Sequence, residues 1–70
     1  MSNKELMALA VTIKSIRKQI NLSQEQLALM ANIDRSFISR LERGIANPSY
    51  LILLQLASAL GCKPKELMPD

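Results

Sequence analysis

Between Ser23 and Gly44 the sequence sets two short helices a small, fixed distance apart, and nothing else in the chain constrains its fold as strongly. Ser23 and Gln26 stand three apart, the spacing at which a capping hydroxyl and a glutamine side chain satisfy each other's free backbone N–H groups. Leu27, Ala28 and Ala31 follow on one helical stripe, and Asn32, which tolerates the left-handed conformation, stops the helix after two turns. Asp34 suits the N-cap of a second helix, about Arg35 to Arg43, which buries Ile38 and Leu41 and is closed by Gly44. Only Asn32, Ile33 and Asp34 lie between the two.

The remainder reads as helix as well. Two glycines, one Phe, one Tyr and no Trp leave little that would build hairpins or strands. Leu9, Ile13, Ile16 and Ile20 form an apolar stripe on a helix from about Leu6 to Gln19, ended by Asn21. Tyr50 to Leu60 is the most apolar stretch, capped by Ser49, or by Asn47 with Pro48 as its first residue, and stopped by Gly61. A last turn or two begins at Pro64. The expectation is an all-α, compact five-helix unit, with residues 1–70 forming one domain. At 7.8 kDa, roughly 11,000 Å² of extended-chain surface should shrink to about 4,400 Å² on folding.

Several chemistries are excluded by what is missing. With no histidine and a single cysteine, Cys62, the chain can assemble neither the usual zinc sets nor an internal disulfide. Histidine-based proton transfer and Ser-His-Asp or Cys-His nucleophiles are also out, so the chain is not expected to be an enzyme, and no metal or cofactor is called for. Cys62 is read as packing, with redox sensing as the alternative. Nine Lys and Arg against six Asp and Glu leave a net charge of +3, which favours an anionic partner, nucleic acid ahead of an anionic membrane surface. No apolar window is long enough to span a membrane and the amino end lacks the layout of a secretory signal; the cytoplasm is the expected compartment.

Short capped helix, three-residue turn, short helix with a polar outward face: this is helix-turn-helix spacing. The run Leu22-Ser23-Gln24-Glu25-Gln26-Leu27-Ala28, the run from Ile33 to Gly44 and Asn47-Pro48-Ser49 resemble the lambda-repressor/Cro type (XRE) helix-turn-helix family over nearly the whole chain. That resemblance implies a lambda-repressor-like domain that binds double-stranded DNA. With Ile38, Leu41 and Glu42 turned inward, Arg35, Ser36, Ser39, Arg40 and Arg43 are left outside as donors, and Arg and Ser can both serve base edges or phosphates. By resemblance, Asp34, Arg35, Ser36, Ser39 and Arg40 are the expected base readers, and Ser23, Gln24, Phe37, Arg43 and Asn47 the expected phosphate contacts. Gln24 has a physical reason for its role, since it opens a helix whose free N–H groups favour an anion. Phe37 either presses on a thymine methyl or sugar or folds back onto the core.

Arg17 and Glu42 lie beside their own apolar stripes and are expected to pair across the core edge as a structural ion pair, as in some relatives. Leu53, Leu56, Ala57 and Leu60 would face inward from the fourth helix, but Leu51, Ile52 and Leu54 stand where relatives often carry polar groups. A helix apolar all round needs cover all round, which implies a homodimer contact through Leu51, Ile52 and Leu54 with Leu67 or Met68. The reading is a transcriptional regulator acting as a homodimer on a palindromic operator, with RNA polymerase a further partner and no small-molecule ligand. The run Asp34 to Ser39 resembles the controller proteins of restriction-modification systems, with a phage repressor or an antitoxin also open. The rival is a protein-interaction module that uses the apolar fourth helix without specific DNA binding.

Overall fold

A computed structural model describes residues 1–68 as five helices: α1 (Asn3–Gln19), α2 (Gln24–Ala31), α3 (Arg35–Glu42), α4 (Tyr50–Leu60) and α5 (Pro64–Leu67). The described residues contain no strand, as the scarcity of strand and hairpin signals predicts. The surface area is 4414 Å², in line with the size scaling.

Four of the helices end by one device. After each, a residue with positive φ turns the chain: Asn21 (60°), Asn32 (57°), Gly44 (76°) and Gly61 (71°). The next residue's N–H then bonds to a carbonyl five residues back: Leu22 to Arg17, Ile33 to Ala28, Ile45 to Arg40 and Cys62 to Ala57, at 2.9–3.1 Å. Asparagine serves at two of these turns because its short polar side chain tolerates the left-handed region. At Gly44 a Cβ would also meet the flexible Met7 side chain, which would have to move aside.

The starts are as regular. Ser23 and Gln26 form the expected capping box, and Ser49, not Asn47, caps α4 by accepting from the Ile52 N–H at 3.2 Å. α1 begins three residues before the predicted Leu6. Ser2 and Glu5 make a second box there, and the Ser2 backbone bond holds the Glu5 carboxyl below the usual carboxylate range. Asp34 occupies the N-cap of α3 as expected but makes no side-chain capping bond; its carboxylate accepts the Ser36 hydroxyl.

Leu9, Ile13, Leu27, Ile38, Leu41, Leu56 and Leu67 are fully buried and form one core. The stripe of α1 runs through Leu6, Leu9, Ala10, Ile13 and Arg17, so Ile16 is half-buried and Ile20 is exposed past the last packed turn. α3 packs on α1 and α2, α2 on α4, and α5 on both α4 and α1. Gln55 of α4 donates to the Ala31 carbonyl at 3.3 Å, tying α4 to the end of α2.

The fourth helix requires one correction. Leu53, Leu56, Ala57 and Leu60 face the core as expected, and Leu51 is 65% exposed. Leu67, however, is only 1% exposed: α5 lays it against the core to cover the gap between α1 and α4, which removes it from the expected subunit contact. Ile52 is half-buried against the core and Leu54 half-buried, leaving Tyr50 and Leu51 as the exposed large apolar side chains of α4; Met68, after α5, is also exposed. Cys62 is half-buried against the core, and burial, with the Glu66 carboxylate second, pushes its thiol pKa up, away from thiolate reactivity.

Candidate nucleic-acid interface

The two sides of α3 differ sharply. Ile38, Leu41 and Glu42 are buried, while Arg35, Ser36 and Arg40 are exposed, Ser39 is half-exposed, and Arg43 follows exposed at the C-cap. Eight residues at 1.5 Å rise make a rod about 12 Å long, which fits a major groove about 12 Å wide. Three guanidinium groups and the Ser39 hydroxyl are donors on this face, suited to guanine O6 and N7 and to phosphate oxygens.

Contacts within the face define how those donors are held. The Arg40 guanidinium carbon lies over the Phe37 ring, 5.6 Å from its centroid. Phe37 is itself half-buried against the core, so its ring is a platform between core and surface, nearer to the inward of its two sequence readings. The Ser36 hydroxyl is donated to Asp34, which pairs two of the expected base readers with each other. Arg43 reaches back toward the Ser39 carbonyl in a long 3.4 Å contact. Ser23 has its hydroxyl committed to the Gln26 N–H at 3.0 Å, and Asn47 stands exposed in the connection from α3 to α4.

Behind this face sits the ion pair expected from the sequence. Arg17 donates through Nε to Glu42 Oε2 at 2.7 Å and through Nη2 to Oε1 at 2.9 Å, a two-pronged pair in which both residues are under 10% exposed. Its remaining nitrogen, Nη1, donates to the Leu22 carbonyl at 2.7 Å, so the pair also fixes the connection from α1 to α2. Sequence reasoning missed one member. Gln24, expected at a phosphate, is half-buried and donates its side-chain amide to Glu42 Oε1 at 3.1 Å. A contact across 18 residues leaves no periodic trace that would announce it.

A shallow groove of about 410 Å³ opens beside the head of α3, lined by Glu25, Leu29, Ile33, Asp34 and Arg35 among others. Among the described residues no helix is long and apolar enough to cross a membrane.

The helix-turn-helix family HTH_3 matches residues 13–67. The immunity repressor protein of Bacillus phage phi105 is 46% identical over 64 residues, which cover 91% of this chain but only 44% of that protein. The control protein C.BamHI of Bacillus amyloliquefaciens is 35% identical over 69 residues, 97% of this chain and 85% of the relative. Among solved structures, the restriction-modification controller protein C.AhdI from Aeromonas hydrophila superposes with a TM-score of 0.88 at 38% identity, over 90% of this chain and 96% of that one.

Proposed function

This chain belongs to the HTH_3 helix-turn-helix family, and from that premise we propose that it is a sequence-specific DNA-binding transcriptional regulator that works as a homodimer. The observation that carries the reading is the split of α3: its apolar side is held in the core while Arg35, Ser36, Ser39, Arg40 and Arg43 are turned outward on a rod of groove-filling length. Arg35 and Arg40 are the principal base readers, with Ser36, Ser39 and Asp34 beside them. Arg43, Gln24 and Asn47 grip the backbone, and the Ser23 cap and Phe37 ring support that edge.

A single module with so few base contacts binds weakly. Two copies related by a two-fold axis would set their α3 helices in successive major grooves about 34 Å apart, on an inverted repeat. Leu51, exposed at the head of α4 beside Tyr50 and the half-buried Leu54, is the apolar surface proposed for that contact, with the exposed Met68 a further candidate. The relatives named as control and controller proteins support a controller of restriction-modification genes as the biological setting. The immunity repressor supports a phage repressor as the alternative. Bound at a promoter, the dimer would block or recruit RNA polymerase, its second proposed partner, in the cytoplasm.

Selection from a random duplex pool followed by sequencing tests the reading. Enrichment of an inverted repeat with half-sites one helical turn apart is expected; no enrichment even at low salt would overturn specific DNA binding and favour the interaction module.

A further inference from the structure

Glu42 is the one buried carboxylate among the described residues, and it receives three N–H donors where its ion pair supplies only two. Arg17 satisfies both oxygens and neutralises the charge. The third donor comes from outside that pair: Nε2 of Gln24, the first residue of α2, reaches Oε1 at 3.1 Å. A primary amide nitrogen carries two hydrogens in a plane. One is held by Glu42; the other is directed away from the buried carboxylate, and Gln24 is half-exposed with no second acceptor among the described residues.

We propose that Glu42 acts as a positioning residue for DNA binding, locking the Gln24 amide so that its second N–H is presented to a backbone phosphate. The inference rests on the DNA-binding reading and adds a mechanical role for the ion pair. A free glutamine amide rotates, and half of its orientations offer an oxygen lone pair that repels phosphate. Against a carboxylate only the nitrogen side is tolerated, so the buried anion selects the donor orientation. Arg17 makes the arrangement possible, because its charge cancels that of Glu42 and spares an incoming phosphate a bare anion behind the amide. The same carboxylate joins the last turn of α1, the start of α2 and the end of α3. The phosphate donor and the reading helix are thereby held in one frame.

The test uses the full chain and a duplex carrying the inverted repeat that the wild-type protein enriches, with single phosphates replaced in turn by uncharged methylphosphonate. Gln24→Met keeps the length and removes the amide. Its affinity should fall by about tenfold or more, the scale of a hydrogen bond to a charged group, while its salt slope stays that of wild type because no cation is lost. One methylphosphonate position in each half-site should weaken wild type and have no further effect on Gln24→Met. Gln24→Asn, an amide one methylene short of spanning carboxylate and phosphate, should behave like Gln24→Met. In the paired replacement Arg17→Met with Glu42→Leu, the amide is unlocked and the response to that one phosphate should shrink. Wild-type affinity in Gln24→Met, or an unchanged phosphate response in Gln24→Asn, overturns the proposal even where the wild-type protein binds its site. Failure of the wild-type protein to enrich any site overturns the DNA-binding reading itself.

Discussion

α3 and α4 both pack an apolar stripe into the core, and they differ most on their outer faces. Both bury a leucine-rich stripe: Ile38 and Leu41 in one, Leu53, Leu56 and Leu60 in the other. Outside, α3 carries Arg35, Ser36, Ser39 and Arg40, while α4 presents Tyr50 and Leu51, with Leu54 half-buried beside them. Folding explains the inner faces, and neither outer face is needed for it. A hydrated arginine face costs a monomer little, whereas an exposed leucine keeps about 25 cal/mol per Å² of apolar surface in water. On the proposed reading the contrast separates two kinds of recognition, donors for an anionic duplex on α3 and an apolar surface for a second copy on α4.

The largest effect is expected where α3 is neither donor nor grease. Glu42→Ala leaves the Arg17 guanidinium buried without its partner, which should cost about 3–5 kcal/mol in urea or guanidinium denaturation. For a small domain that is a large part of its stability. Arg17→Met with Glu42→Leu removes both charges together and should return most of the loss. A Glu42→Ala protein within about 1 kcal/mol of wild type would mean the pair is worth no more than a surface salt bridge.

Next comes the outer face of α4. Leu51→Glu with Leu54→Glu should yield a folded monomer by sedimentation, with helical content intact by circular dichroism and operator affinity lowered at least a hundredfold, since each half-site must then bind alone. Unfolding instead of dissociation would put Leu54, which is half-buried, among the core residues.

How far the sequence reaches follows from the same contrast. Boundaries set by one residue in a special conformation were legible: Asn21, Asn32, Gly44 and Gly61 each end a helix as read, and Ser23 opens one. Inner stripes were legible because burial imposes a period. Leu67 was misread because its burial depends on where α5 lands after the Gly61 turn, a tertiary fact absent from local spacing. Asp34 stands at the N-cap as read, but its missing capping bond was not legible, because two local donors, a backbone N–H and the Ser36 hydroxyl, compete for one carboxylate. Leu29 and Met30 are exposed on α2, which the sequence does not announce because a two-turn helix has too short a pattern to separate its faces. The Gln24–Glu42 bond joins residues that no periodicity relates.

On the face of α3 itself, Arg35→Ala and Arg40→Ala should each cost about 1–3 kcal/mol of operator binding and relax preference at one base position per half-site, read by selection with the variants. Arg40 carries an added signature. Its guanidinium rests over Phe37, so Phe37→Leu should partly reproduce the Arg40→Ala change in preference, though not that of Arg35→Ala.

Arg43 yields the smallest change and the sharpest division of roles. It stands at the C-cap of α3, past the proposed readers, and is proposed to reach the strand flanking the groove rather than a base edge. A phosphate contact carries no sequence information, so Arg43→Ala should weaken operator and unrelated duplex by the same factor. Each neutralised phosphate releases condensed counterions, so the slope of log affinity against log salt should fall by about 0.9. Lys65→Ala, exposed on α5 and outside the proposed interface, should leave slope and affinity unchanged. If Arg43→Ala instead altered base preference as Arg35→Ala does, the reading surface would extend over the whole outer side of α3. The division between a head that reads and a tail that grips would then be lost.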